Sequence, residues 1–161
     1  MKSQIKHFID KKSLRMFALG FSAGLPILLV FSTLSVWLTK AEIERSTITL
    51  FSWVGFAYSF KFLWSPIVDH LQLPMSKYFG HRKTWLLLSQ IMLILSILLA
   101  SLSDPKMSLM FMVISFILIA FSSATQDITI DAFRIESVKQ SLQGVMSSMY
   151  LAGYRVAMIF S

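Results

Sequence analysis

Four ionisable side chains, Lys61, Asp127, Asp131 and Arg155, fall inside or at the mouths of otherwise apolar stretches. A charge at bilayer depth costs roughly 3 kcal/mol on insertion scales, so none of the four is expected to face lipid. Two of each sign point to a shared polar cavity, or to pairs across helices, as in the interior of a solute pathway. Asp127 and Asp131 are four residues apart and therefore share one helix face. Two carboxylates so placed repel each other, which makes the pair a candidate proton carrier. Arg155 can clasp a carboxylate with two parallel hydrogen bonds, or bond to Asp127. Gln126, Tyr58 and Tyr154 offer hydrogen bonds to a polar solute. Buried ion pairs can also serve only to lock a bundle, and the sequence leaves both readings open.

The elements that must position these groups are oily. Of 161 residues, 55% are hydrophobic and the mean hydropathy is +0.67. That length holds one soluble domain or about four to six membrane spans, and the hydropathy selects the second. Cysteine is absent, which excludes disulfides and thiolate metal sites. His7, His70 and His81 are too scattered for a metal cluster, and no cofactor is expected. Glycine-rich phosphate loops, Gly-x-Ser-x-Gly and zinc helices are missing, so no enzyme is expected.

Spans are expected over about 14–38, 47–68, 84–102, 107–131 and 142–161, after a basic N-terminal segment 1–13. The fold class is all-α integral membrane with about four and a half transmembrane helices. Gly20 and Gly24 have the spacing that lets a neighbouring helix approach closely. Ser46 or Thr47 is placed to cap the second span, and Pro66 to bend it near its end. Pro105 suits the first turn of the fourth span. Trp37, Trp64 and Trp85 read as interface anchors. By depth, Lys61 and Asp127 both lie about 10 Å above the cytoplasmic face.

The net charge of +7 follows membrane topology rather than nucleic-acid binding. The N-terminus and the second and fourth loops hold ten Lys and Arg, whereas the first and third loops hold three: Lys40, Arg45 and Lys106. This places the N-terminus in the cytoplasm.

Ser65-Pro-Ile-Val-Asp69 followed by Gly80-His-Arg82-Lys83 resembles the loop signature of the major facilitator superfamily. Ser65 stands where that signature has glycine, His70 replaces a basic residue, and the Asp–Gly gap is stretched. Gly20-Phe-Ser-Ala-Gly-Leu-Pro26, Phe60-Lys-Phe-Leu-Trp-Ser-Pro66, Ser123-Ala-Thr-Gln-Asp-Ile-Thr-Ile-Asp-Ala132 and Gly153-Tyr-Arg155 are similar to the AmpG-type muropeptide permeases. The resemblance implies proton-coupled import of anhydromuropeptides across the bacterial inner membrane, with partial likeness to acetyl-CoA carriers. It also implies a substrate and proton pathway through Lys61, Gln126, Asp127, Asp131 and Arg155. Asp69, Gly80, Arg82 and Lys83 would form a cytoplasmic gate, the basic pair bonding to Asp131 or Glu136 in one state.

Such permeases have two helical halves around a central site. The implied partners are the lipid bilayer, a muropeptide-type solute, protons and a second chain supplying further helices, with no nucleic acid. Apolar residues 156–161 carry no polar stop, so a truncated chain, inactive by itself, is expected. The alternatives are a non-transporting membrane remnant or interaction protein, or a facilitator for another solute such as a drug or acetyl-CoA.

Overall fold

Asp10 accepts a hydrogen bond from the Lys11 backbone N–H at 2.8 Å and opens the first helix, α1 (Lys11–Lys40). A computed structural model describes residues 10–44, 52–104 and 106–160, except the side chains of Ser52 and Trp53. The basic residues Lys2, Lys6 and Arg45, the caps Ser46 and Thr47, the start of the expected second span, Pro105 and Ser161 lie outside the described residues.

Pro26 sits inside α1, where it cannot donate to the carbonyl of Ser22. One turn later the helix widens to a π turn, Leu29–Thr33, before resuming as Leu34–Lys40. Single π turns of this kind absorb a break in the i→i−4 ladder without ending the helix.

The second span is expected as one helix, but its described part is broken. A 3₁₀ turn Ser52–Gly55 leads into α2 (Phe56–Ser59), a second 3₁₀ turn Lys61–Leu63, and α3 (Ser65–His70). Pro66 explains the difference. It does not bend a continuous helix but occupies the first turn of a new one, where its missing N–H is not needed.

A short helix α4 (Ser76–Phe79) precedes α5 (His81–Ser101). Gly80 caps α5 at φ 85°, a left-handed conformation that disfavours residues with a Cβ. α6 (Leu109–Ser137) is the central and most buried helix, and α7 (Gln143–Phe160) follows a 3₁₀ turn at Gln140–Leu142. α5 begins before the expected Thr84, and α6 runs six residues past Asp131. Hydropathy fades at these polar ends, but the backbone stays helical. In α6 an Asp131–Arg134 pair at i,i+3, 3.2 Å apart, bridges the fading stretch.

Among the described residues, α1, α5 and α6 are long and apolar enough to cross a membrane. α7 is an 18-residue helix that carries Arg155 and two tyrosines. The chain is an all-α, multi-pass membrane protein.

Among the described residues, two of the three packed apolar groups tie α1 to its neighbours. One joins Val30, Leu34 and Leu38 of α1 to Leu93 of α5 and Met112, Phe116 and Ile119 of α6. The other joins Met16 and Ala23 of α1 to Ile130 of α6 and Met146 of α7. α1 and α7 meet almost backbone to backbone. A Cβ on Gly20 would lie 2.1 Å from the Tyr150 carbonyl oxygen, and one on Gly153 would lie 2.0 Å from that of Phe17. Gly24 is similarly closed off by the Tyr154 carbonyl, at 2.6 Å. Small residues are what permit such contact in a membrane, where helix association rests on close packing.

Candidate functional site: a carboxylate pathway and an arginine clasp

The broken segment positions the site. The Trp64 indole N–H donates to Thr125 Oγ1 at 3.2 Å, and its ring packs on Phe121 with centroids 4.6 Å apart. Trp64 is therefore a clasp to α6 and not an interface anchor. Trp85 is the same kind of correction, being buried and donating to the Leu71 carbonyl at 3.0 Å. An indole has one N–H donor and a large apolar body, so a half-buried carbonyl or hydroxyl suits it as well as the bilayer interface does.

With Trp64 fixed, the preceding 3₁₀ turn brings Lys61 Nζ to 3.8 Å from Asp127 Oδ2. This is an ion contact, longer than a hydrogen bond. The Lys61 side chain is 37% exposed and that of Asp127 is 18% exposed, so Lys61 guards the more open side. The second oxygen, Asp127 Oδ1, is buried and makes no close hydrogen bond among the described residues, with the Tyr150 hydroxyl near the carboxylate.

Gln126, the preceding residue, is completely buried. Its amide N–H donates to Ser22 Oγ of α1 at 3.1 Å, while its Oε1 is buried and unpartnered. Tyr58 Oη is also buried and makes no close hydrogen bond among the described residues, its nearest polar neighbours being Ser123 and Asp127. Buried polar atoms are normally paired, and the oxygens of Tyr58, Gln126 and Asp127 together make a polar spot inside the bundle.

The other members of the expected ladder separate. Asp131 lies one turn from Asp127 on α6, about 6 Å along the axis. It turns to Arg134 at 3.2 Å and not to a basic residue of another helix. Arg155 is exposed on α7 and makes no ion pair among the described residues. An Asp127–Arg155 bond is therefore not formed here. Lys61 takes that place, because the turn at 61–63 carries it in.

At the other end of α3, Arg82 forks between two acids. Its Nη1 donates to Asp69 Oδ1 at 2.6 Å, and its Nη2 and Nε donate to Glu136 Oε1 at 2.8 and 3.0 Å. The guanidinium thus ties the end of α3 to the end of α6, with Gly80 turning the chain into α5 between them. Of the two acids anticipated for this contact, Glu136 is bound and Asp131 is not. Lys83 stays out of the clasp, exposed on α5.

Tyr150 escaped the sequence reading. It stands on α7 as a polar neighbour of Asp127 and Asp131, its ring 6.1 Å from that of Tyr154. Its signal in the sequence was faint, since a tyrosine near a helix start reads equally well as packing. Gly153, three residues on, packs on the backbone of Phe17 and Phe21 beside Gly20 and could have identified the α1–α7 contact.

Residues 14–161 match the family described as acetyl-coenzyme A transporter 1. The chain is 37% identical over 97% of its length to a Rickettsia felis protein bearing the name transporter AmpG 4, and covers 38% of that protein. It is 39% identical over its full length to the anhydromuropeptide permease of Escherichia coli K12, of which it covers 32%. The chain spans about a third of the length of these relatives. Its apolar helices agree with membership of a transporter family. The chain belongs to the acetyl-coenzyme A transporter family, and over nearly its whole length it resembles the AmpG-type permeases.

Proposed function

We propose that this chain is part of a proton-coupled importer of anhydromuropeptides in the bacterial inner membrane, with its N-terminus in the cytoplasm. The observation that carries the reading is Asp127: one oxygen against Lys61, the other buried, beside the oxygens of Gln126 and Tyr58. A buried carboxylate with a lysine at one oxygen has two ways to be neutralised, by the amine or by a proton. Alternation between them couples proton movement to the solute. Arg82, Asp69 and Glu136 act as a latch that holds the ends of α3 and α6 together in one state and releases them in the other. Gln126 and Tyr58 bind polar groups of the solute, and Arg155 waits on α7 for a carboxylate. Helices from outside these 161 residues, in the same chain or a second one, face this surface.

The test is uptake of labelled anhydromuropeptide in cells lacking their own permease. The cells express a chimera in which this chain replaces the stretch it matches in the Escherichia coli permease. Accumulation that collapses with a protonophore is expected, and the 161 residues alone are expected to give none. A chimera that reaches the membrane but leaves uptake at the empty-vector level would refute the muropeptide reading. The family description favours one second reading, acetyl-CoA as solute, and labelled acetyl-CoA in the same assay separates the two.

Orientation is read from the basic residues. A reporter joined after Gln72 is expected to signal the cytoplasm and one joined after Ser103 the periplasm; the reverse pattern sinks the assignment.

A further inference from the structure

The ends of α1, α5 and α6 that carry Lys12, Arg15, Lys83 and Arg134 enclose two adjoining cavities of about 430 and 210 Å³. Arg15, Lys83 and Phe133 line both, and no acidic residue lines either. The nearby cations are mostly committed. Arg82 is bound to Asp69 and Glu136, Arg134 to Asp131 and Ser147, and Lys12 donates to the Ser137 carbonyl at 3.4 Å. Arg15 and Lys83 make no hydrogen bond or ion pair among the described residues. The chain therefore holds two like charges over one cleft. The remaining wall is apolar: Ala18, Leu19, Leu86 and Phe133.

α1 starts at Lys11 and α5 at His81, so two positive dipole ends lie at this end of the bundle, against the one negative end of α6 at Ser137. The cleft lies at the charged ends of helices long enough to span a bilayer, which is where lipid phosphates would be met. A soluble anion would use the cations but leave the apolar wall wet. An acidic phospholipid uses both, and basic pockets between membrane helices suit such headgroups.

We propose that the cleft between α1, α5 and α6 is a binding site for an acidic phospholipid. Its phosphate lies between Arg15 and Lys83, and an acyl chain runs along Leu19, Leu86 and Phe133. The site is separate from the Lys61–Asp127 pathway and does not depend on the transported solute.

The experiment uses the whole chain, purified in mild detergent and given an equal mixture of phosphatidylglycerol and phosphatidylethanolamine. Retained lipid is read by native mass spectrometry. Phosphatidylglycerol is expected to be preferred by about tenfold, a difference near 1.4 kcal/mol. Arg15→Gln with Lys83→Gln removes the preference, whereas Arg15→Lys with Lys83→Arg keeps it. Lys106→Gln, at the opposite end of α5, leaves it unchanged. Equal retention of both lipids, or an undiminished preference in the double glutamine variant, overturns the proposal. So does loss of the preference with Lys106→Gln, which would mean a general charge effect. Displacement of the lipid by inorganic phosphate alone would overturn it in favour of a free-phosphate site. If the double variant does not fold, the two single glutamine variants are read instead, and an unchanged preference in both overturns it.

Discussion

In the chimera, Asp127→Asn is expected to reach the membrane in normal amounts and to lose accumulation of anhydromuropeptide against its gradient. The amide keeps the shape of the carboxylate but cannot cycle a proton, so uphill uptake should fall by more than about tenfold, over 1.4 kcal/mol of coupling. It also leaves Lys61 facing a neutral group, and an unpaired charge at this depth is costly. Downhill exchange of labelled for unlabelled solute should survive better than accumulation, because exchange needs no net proton transfer. Asp131→Asn discriminates further. Asp131 is half-exposed and paired with its own helix neighbour Arg134, so its loss should be milder than that of Asp127. Unimpaired accumulation in both variants would remove proton coupling from this pair.

The second large effect is expected at Arg82. Arg82→Gln breaks the contacts to Asp69 and Glu136 together and leaves two acids without a cation. Both acids are substantially exposed, at 41% and 55% of their side chains, so the static stability at stake is about 1 kcal/mol or less. The initial uptake rate, by contrast, should drop by more than about tenfold, because the latch closes one conformation of the cycle. Arg82→Lys should restore little of it, since an ammonium cannot fork to two acids as the guanidinium does. Rates are compared at matched expression. A wild-type rate in Arg82→Gln would show the clasp to be a passive rim contact.

Much of this arrangement was legible in the residues themselves. Long apolar runs specify α1, α5 and α6 because a membrane demands them, and Gly20 and Gly24 announce a close helix partner by spacing alone. Counting along two helices put Lys61 and Asp127 at one depth, but the partner it offered Asp127 was Arg155 and not Lys61. What the sequence did not convey was backbone detail. Pro66 reads equally as a late kink or as the first turn of a new helix. Only the seating of Trp64 on Thr125 and Phe121 decides between them, and with it the approach of Lys61. The polar ends of α5 and α6 were misjudged because hydropathy reports the bilayer, whereas a helix continues wherever its backbone bonds do. Arg155 was drawn into the ladder by its sign and depth, but helix rotation sets which way a residue points, and rotation was not fixed by counting. The α1–α7 contact showed only one of its sides in the spacing, since Gly144 and Gly153 of α7 are too far apart to form such a pair and only Gly153 is tightly packed, while Gly20 and Gly24 mark α1.

The most direct measurement is proton movement on addition of solute. The chimera and its Asp127→Asn variant are reconstituted in liposomes with a pH-sensitive dye inside, with no imposed gradient of protons. Adding anhydromuropeptide outside is expected to acidify the lumen with the chimera and to leave it unchanged with Asp127→Asn. Solute entry without acidification, or acidification that persists in the variant, would contradict a proton pathway through Asp127.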